Sequence, residues 1–239
     1  MPDLTIPDAN GAPLKTYVAR PAVGDGPWPG VVVIHDAFGL SDVAREHADR
    51  LSAAGYLALV PDLYTRGGFA RCVRSTFAAL MSGTGLAYDD LDAARRWLEA
   101  QAACTGRIGV IGFCMGGGFA LMTARRGYSA AAPNYGRLPV DLSVLDGACP
   151  IVASYGAKDR SLHGAAAQLA AALEERRIPH DVMEYPNVGH SFLDRFNTGP
   201  FTPFLKVSGL GYDHPTAEDA WRRILRFFGE YLQPMNSRG

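Results

Sequence analysis

The chain has 239 residues and no Pro/Ser/Gly-rich linker, so residues 1–239 are predicted to form a single α/β domain. Hydrophobic residues make up 48% and charged residues 20%, which excludes a disordered or membrane-embedded composition. The formal net charge of -1 excludes a strongly basic protein, so we expect a small-molecule substrate and neither nucleic acid nor a membrane as partner.

The first elements in chain order are two short apolar stretches, residues 4–6 and 14–19, which are expected to add an antiparallel pair at the edge of a sheet. The opening ten residues show no basic stretch followed by an apolar one. No run in the chain approaches the roughly 18 consecutive apolar residues that span a membrane. We therefore expect a cytoplasmic protein.

Short apolar runs then alternate with segments of helical spacing. The runs predict strands because they are continuous, as in strands covered on both faces: residues 30–34, 56–60, 108–113, 130–133, 151–155 and 181–185. The intervening segments predict helices over residues 43–54, 88–102, 116–126 and 162–177. This alternation predicts an α/β fold with a mainly parallel sheet and helices on both faces.

The last predicted helix carries an apolar stripe formed by Trp221, Ile224, Leu225, Phe228 and Leu232, which is expected to pack against the sheet. Thr216, followed three residues later by Asp219, resembles a capping box at its start. The stretch before it, residues 197–214, is long for a connection and rich in glycine and proline. It is expected to form a lid or a partner contact.

A nucleophile elbow is the strongest motif. Residues 112–116 read Gly-Phe-Cys-Met-Gly, directly after a predicted strand and before a predicted helix. A nucleophile at this turn is strained, and small residues two positions on either side let strand and helix approach closely. The helix dipole favours a thiolate at Cys114, and the Met115 amide points where an oxyanion forms. The alternative is a buried core thiol, which gives no reason for the flanking glycines.

The acid and the base of a triad follow the nucleophile in the order expected for this type of elbow. Asp159 comes just after a predicted strand, and His190 lies in the loop after the next one. Carboxyl ends of parallel strands meet at one edge of a sheet, so Cys114, Asp159 and His190 are predicted to form a catalytic triad.

Of the other histidines, His35 lies near the predicted catalytic edge. His47 and His163 sit within helical patterns and are expected at the surface or its boundary. His35 ends a predicted strand near the catalytic edge, and either touches the site or packs behind it. Cysteines 72, 104, 114 and 149 form no CxxC pair, and no ligand cluster has metal-binding spacing. We expect no metal, no organic cofactor and no disulfide framework.

Motifs along nearly the whole chain resemble the dienelactone hydrolase family, whose members have the α/β-hydrolase fold. They are His-Asp-Ala-Phe-Gly-Leu at 35–40, Pro-Asp-Leu-Tyr at 61–64, Gly-Phe-Cys-Met-Gly-Gly at 112–117, Asn-Tyr-Gly at 134–136 and Gly-His-Ser-Phe at 189–192. The resemblance implies the same triad, Cys114, Asp159 and His190, and an oxyanion hole made by the amides of Ala37 and Met115.

The resemblance also implies roles for an acid and for arginines. In the best-known members a glutamate at the position of Asp36 hydrogen-bonds the resting thiol and helps to activate it; the shorter Asp36 either does the same or only fixes its loop. Family members hold a substrate carboxylate with arginines from two segments. Arg71 and Arg74 are the candidates for the first segment of this chain, and Arg195 is the candidate for the second. Arg195 lies one position beyond the family place, which Asp194 occupies, and this weakens the case for an anionic substrate.

Five aromatic residues are expected either to line the substrate pocket or to belong to the core: Phe38, Tyr64, Phe113, Tyr135 and Phe192. Ser191 and Arg195 are expected at the pocket mouth. The predicted protein is thus an ester or lactone hydrolase that works through an acyl-enzyme, as a monomer or a homodimer. A promiscuous carboxylesterase or phosphotriester hydrolase acting on neutral substrates is the alternative. A catalytically silent reactive-thiol sensor is a third possibility, against which the complete triad argues.

Overall fold

The computed structural model describes residues 3–196 and 211–233. Its strands form one sheet: β1 (Asp3–Pro7), β2 (Pro13–Ala19), β3 (Trp28–Ile34), β4 (Leu57–Pro61), β5 (Cys104–Phe113), β6 (Ala130–Asn134), β7 (Ile151–Gly156) and β8 (His180–Tyr185). The strand order is β1-β2-β4-β3-β5-β6-β7-β8. β1 pairs antiparallel with β2, and β2 with β4, whereas the other pairs are parallel. The predictions of a mainly parallel sheet and of an antiparallel edge pair are confirmed.

The central strands are apolar along their whole length because helices cover them on both sides. In β3, Val31, Val32, Val33 and Ile34 are all fully buried, although successive side chains point to opposite faces. β-Branched residues suit this position, since they pack well on a pleated surface.

The described helices are α1 (Asp42–Ala53), α2 (Gly68–Ser82), α3 (Leu86–Glu99), α4 (Met115–Thr123), α5 (Ala165–Glu175) and α6 (His214–Leu232). In β5, a Cβ on Gly109 would meet Leu232 of α6, whereas one on Gly112 would meet Gly116 of α4. The two glycines are an odd number of residues apart, so α6 and α4 lie on opposite faces of the sheet. α1 lies beside α6, to which an Arg50–Glu218 ion pair of 2.7 Å joins it. Helices on both faces are confirmed.

Helix α2 is an element that the sequence patterns did not predict. Only Thr76 and Leu80 of its fifteen residues are buried. The signal was present, since Cys72, Val73, Ala79 and Leu80 recur at helical spacing and pack against the core.

The N-terminus of α6 also differs from the prediction. The cap is Asp213, whose carboxylate accepts the Thr216 amide at 3.2 Å, so the predicted capping box at Thr216 is wrong. The helix starts earlier because Pro215 is well tolerated in a first turn, where its missing N–H has no partner to lose. Thr216 lies inside the helix instead of before it.

This topology brings the carboxyl ends of β3, β5, β7 and β8 to one edge, where the predicted site residues follow the strands. No helix within residues 3–196 and 211–233 is both long and apolar enough to cross a membrane.

Candidate active site

Cys114 occupies a sharp turn between β5 and α4. Its backbone angles are φ 53° and ψ -113°, a region that a side-chain-bearing residue enters only at a cost in free energy. The Cys114 amide donates to the Asn134 carbonyl at 3.1 Å, and the surrounding elements hold the strained turn in place. The predicted strand, turn and helix at the elbow are present.

Glycines let three backbones converge at this turn. A Cβ on Gly112 would lie 2.0 Å from the Gly116 carbonyl oxygen, and a Cβ on Gly116 would lie 2.2 Å from that of Ile34. A Cβ on Gly117 would lie 2.5 Å from the Asn134 carbonyl oxygen. Each contact is with backbone, which has no room to give, so glycine is required at these positions.

Asp159 and His190 meet as the sequence predicts. Asp159 follows β7, and its Oδ2 lies 2.5 Å from His190 Nδ1, while its Oδ1 accepts the Ser161 amide at 3.0 Å and the Ser161 hydroxyl at 2.6 Å. Burial favours the protonated form of Asp159, but the hydrogen bonds from His190 and Ser161 outweigh it and lower its pKa. Asp159 is therefore an ionised acceptor that fixes the His190 ring.

The His190 ring contacts Asp159 and lines the same cavity as the Cys114 thiol. Burial favours its neutral form, yet the Asp159 carboxylate and the negatively charged form of Cys114 raise the pKa of His190 to about 10. His190 is therefore readily protonated, and a positively charged ring in the cavity that Cys114 lines is what a cysteine nucleophile needs.

A cavity of about 660 Å³ opens over Cys114 and His190. Its lining includes five further residues predicted for the site: Asp36, Ala37, Phe38, Ser191 and Arg195. Residues of the lining that the sequence did not indicate are Ser41, Asp42, Val43, Glu46 and Phe196, whereas Gly211 belongs to the stretch predicted as a lid or partner contact. Most of these five come from α1 and the segment before it, where no local motif marks them.

Tyr64 packs behind residues 36–38, the loop that carries the predicted oxyanion donor Ala37 and is called the oxyanion loop below, and it does not line the cavity. Its hydroxyl donates to the Ala37 carbonyl at 3.0 Å and lies 3.7 Å from the Met115 sulfur. The Asp36 carboxylate accepts the Phe38 amide at 2.8 Å, which closes a turn in the same loop. Met115 is the first residue of α4, so its amide lacks an acceptor within the helix. The predicted oxyanion donors thus lie on elements that are held in place.

Three other predicted pocket aromatics are fully buried behind the cavity and are absent from its lining: Phe113, Tyr135 and Phe192. The Tyr135 ring lies 5.1 Å from that of His190 and 5.5 Å from that of Phe192, so these two aromatics lie behind the His190 ring. Phe38, in contrast, is 65% exposed and lies at the cavity wall.

The candidate arginines lie apart from one another. Arg71 and Arg74 are exposed on α2 and are not among the residues that line the cavity. The Arg195 guanidinium lies at the cavity and donates to the Tyr212 hydroxyl at 2.6 Å. Binding of a substrate carboxylate by any of the three stays a prediction.

His47 is buried, so its expected place at the surface or boundary is wrong. Its Nε2 lies 2.9 Å from Asp194 Oδ1, and its ring stacks on Phe113 at 3.8 Å. The signal was present, since His47 shares the apolar stripe of α1 with Val43, Ala44 and Leu51.

His35 packs behind the oxyanion loop. Its Nε2 accepts the Leu63 amide at 3.1 Å, which leaves Nδ1 to donate to the Asp36 carbonyl at 2.6 Å. Burial lowers the pKa of His35, so the neutral ring keeps this arrangement. It is not among the residues that line the cavity.

The predicted lid falls largely outside the described residues, which do not include 197–210. Its described end contacts the site, because the Gly211 amide donates to the His190 carbonyl at 3.3 Å. Within residues 3–196 and 211–233, no group of three His, Cys, Asp or Glu side chains is placed to hold a metal ion.

Thiol labelling is expected to separate Cys114 from Cys149. Burial raises the pKa of Cys149 to about 12, so at pH 8 its thiolate fraction is about 10³-fold below that of an ordinary thiol. Cys114 lines the open cavity at a helix N-terminus. Iodoacetamide should therefore modify Cys114 at least about 100-fold faster than Cys149, as measured by peptide mass spectrometry over time. Equal rates would contradict the environment assigned to Cys114.

Comparison with known proteins points to one family. Residues 14–232 match the family model described as "Dienelactone hydrolase family". A relative from Escherichia coli strain K12, named "Putative carboxymethylenebutenolidase", is 29% identical over 243 residues, which cover 93% of this chain and 84% of the relative.

Two solved structures are similar along nearly their whole length. A crystal structure described as a "Putative Dienelactone Hydrolase" from Klebsiella pneumoniae has a TM-score of 0.78 and 27% identity, and the match covers 96% of this chain and 98% of that one. A dienelactone hydrolase-like promiscuous phosphotriesterase from metagenomic libraries has a TM-score of 0.78 and 24% identity, covering 97% of this chain and 99% of its own. The second likeness shows the fold alone.

Proposed function

Because this chain belongs to the dienelactone hydrolase family and is a hydrolase acting on ester bonds, we propose that it cleaves esters or lactones through Cys114, His190 and Asp159. The observation that carries the proposal is the 2.5 Å contact of Asp159 with His190, which lines the same cavity as Cys114. A nucleophile, a base and an acid that orients the base are thus within one site.

The reaction starts with the carbonyl oxygen of the substrate against the amides of Ala37 and Met115. The Cys114 thiolate attacks the carbonyl carbon, and the two amides stabilise the tetrahedral oxyanion. Collapse breaks the bond to the leaving alcohol, which takes its proton from the His190 imidazolium. A thioester on Cys114 remains.

Water completes the cycle. His190, now neutral, takes a proton from water as the water attacks the thioester carbon, and a second tetrahedral intermediate forms. Its collapse releases the carboxylic acid and returns the thiolate beside the imidazolium. Asp159 keeps the ring in the productive tautomer throughout. A thiolate leaves more readily than an amide nitrogen, so activated esters and lactones are better substrates than amides.

A neutral substrate suits the charges around the cavity. Asp36, Asp42 and Glu46 line it, whereas among the described lining residues the only guanidinium is that of Arg195, which is already bonded to Tyr212. In the proposed mechanism the charges of the Cys114 thiolate and the His190 imidazolium offset each other. Among the described lining residues a substrate carboxylate would therefore meet Asp42 and Glu46 against Arg195, even where Asp36 is protonated. We therefore place a neutral ester or lactone ahead of a carboxylated dienelactone.

The test is a panel of three substrates given to the wild-type protein: p-nitrophenyl acetate, a carboxylated dienelactone and diethyl p-nitrophenyl phosphate. Hydrolysis of the neutral ester with little on the dienelactone supports the proposal in full. Comparable rates on both would show that a substrate carboxylate is accepted and overturn the charge argument. Turnover of the phosphate would extend to this chain the activity named for its phosphotriesterase neighbour. Failure on all three would contradict the proposed mechanism.

Asp159→Asn is expected to lower kcat for the neutral ester by about 10⁴-fold with little change in fold. Ser161 donates twice to Oδ1, so an asparagine keeps its carbonyl oxygen there and presents its NH2 group to His190 Nδ1. The ring then adopts the wrong tautomer and loses the negative charge that stabilises its imidazolium. Steady-state kinetics measure the effect, and circular dichroism checks the fold. Asp25→Asn, at an exposed loop position, is the matched control and should be unchanged. A loss below about tenfold would show that Asp159 does not orient the base.

A further inference from the structure

A buried acid and histidine pair lies behind the cavity wall and has no part in the mechanism above. His47 Nε2 and Asp194 Oδ1 are 2.9 Å apart, and their side chains are only 7% and 1% exposed. His47 comes from α1 and Asp194 from the loop after His190, 147 residues later. Phe113, the neighbour of Cys114, covers the His47 ring.

Asp36 faces the same place. A narrow void, too small for a water molecule, is lined by Asp36, His47, Phe113 and Asp194 among others. Asp36 Oδ2 and Asp194 Oδ2 are both buried, and neither has a hydrogen-bond partner within the described part of the chain. Two carboxylates that share a dry space do not both ionise readily, because each charge opposes the other.

Two histidines and two tyrosines are further titratable groups whose charges interact with Asp36. The His190 imidazolium favours the ionised form of Asp36, as does protonated His47. The charge of Asp194 acts on the Tyr135 hydroxyl more strongly than those of Cys114 and Asp36, and the charge of Asp36 acts on the Tyr64 hydroxyl. Burial first, and these charges next, raise the pKa values of both tyrosines well above 10. The Cys114 thiol shares the cavity with Asp36.

We propose that Asp194 and His47 are positioning residues that set the protonation of Asp36 and, through it, the charge beside Cys114. A negative Asp194 favours protonated Asp36, and a positive His47 opposes that effect. Protonated Asp36 does not repel a thiolate, whereas ionised Asp36 repels it but can accept a hydrogen bond from the thiol. The proton exchanges with water through the cavity. The consequence for catalysis, though not the titration itself, rests on the proposed function.

The experiment is a pH titration of aspartate carboxyl carbons by ¹³C NMR on the whole protein. The Asp36 signal is assigned by its loss in Asp36→Asn. Burial, with a contribution from Asp194, raises the pKa of Asp36 to about 6, so its midpoint should stand above those of exposed aspartates. Asp194→Asn should lower this midpoint and His47→Gln should raise it, each by on the order of one pH unit.

Opposite shifts are the decisive result, because a role in packing alone gives no reason for the sign to differ between the two variants. Shifts in the same direction, or none in either variant, would overturn the proposal. If Asp194→Asn does not fold, Asp194→Ser removes the same charge with a smaller side chain and carries the same expectation. Asp92→Asn, which removes a carboxylate on α3, is the control and should leave the Asp36 midpoint unchanged.

A second readout connects the network to the reaction. In the pH profile of kcat/KM for the neutral ester, one limb should disappear in Asp36→Asn. The midpoint of that limb should move to lower pH in Asp194→Asn and to higher pH in His47→Gln. If no ester is hydrolysed but the midpoints shift as expected, the proposed function fails and this inference stands. If the ester is hydrolysed but the midpoints do not move, the proposed function stands and this inference fails.

Discussion

Cys114→Ala is expected to lower kcat for p-nitrophenyl acetate by about 10⁴-fold or more while the protein stays folded. The thiol is the atom that forms the covalent intermediate, and alanine leaves His190 and Asp159 without a nucleophile. Residual turnover should reflect only binding and the oxyanion hole. Steady-state kinetics measure the loss, and thermal unfolding verifies the fold.

Cys114→Ser sharpens this test. Serine keeps a nucleophilic atom on the same turn, but its hydroxyl is far less acidic than a thiol, so activity should fall between that of wild type and that of the alanine variant. Cys72→Ala, at a partly buried cysteine on α2 away from the cavity lining, is the matched control and should keep wild-type kcat.

A fully active Cys114→Ala would show that another group attacks the substrate. Ser41 and Ser191 both line the cavity, so their alanine variants would identify which one does. Direct evidence for the proposed route is an acetylated peptide containing Cys114 after acid quenching. This adduct should build up when His190→Ala slows its hydrolysis.

Gly116→Ala is expected to destabilise the protein by more than about 4 kcal/mol or to prevent folding. The added methyl would lie 2.2 Å from the Ile34 carbonyl oxygen and 2.6 Å from that of His35. Relief requires α4 to move away from β3, which would open both the elbow and the oxyanion loop. Urea denaturation followed by circular dichroism measures the change in the free energy of unfolding.

Gly229→Ala is the matched control, because the same methyl on α6 would meet no heavy atom within 4 Å. Alanine is the better helix former, so this variant should gain about 0.5–1 kcal/mol. Opposite signs for the two glycines would show that close backbone contact, and not the loss of glycine itself, decides the outcome. A stable Gly116→Ala protein would contradict the packing described for the elbow.

Local patterns were sufficient for the framework of the site. The apolar runs predicted the central strands β3 to β7, because a strand covered on both faces needs apolar side chains. β8 was also predicted, although it lies at the sheet edge and none of its side chains is fully buried. The elbow around Cys114 was recognisable because the requirement for Gly112 and Gly116 falls within two residues of the nucleophile. The positions of Asp159 and His190 followed from the order of strands, since parallel strands end at one edge.

Other features depended on contacts that no local pattern records. Helix α2 was not predicted although Cys72, Val73, Ala79 and Leu80 recur at helical spacing, and its place against the core was visible only in the structure. The N-cap of α6 fell at Asp213 because Pro215 allows the helix to start before Thr216. Which aromatic residues line the cavity also depended on tertiary structure, because Phe38 projects from a loop at its wall whereas Phe113 points back into the core.

The sequence by itself thus determined where strands and helices alternate along the chain, where the elbow lies and which residues are able to form a triad. Each of these requirements lies within a few neighbouring residues. Only the tertiary structure decided that His47 and Asp194 pair beside Asp36. The physical reason is that burial of a charge and the identity of its partner depend on which distant segments pack together, and this pair joins residues 147 positions apart.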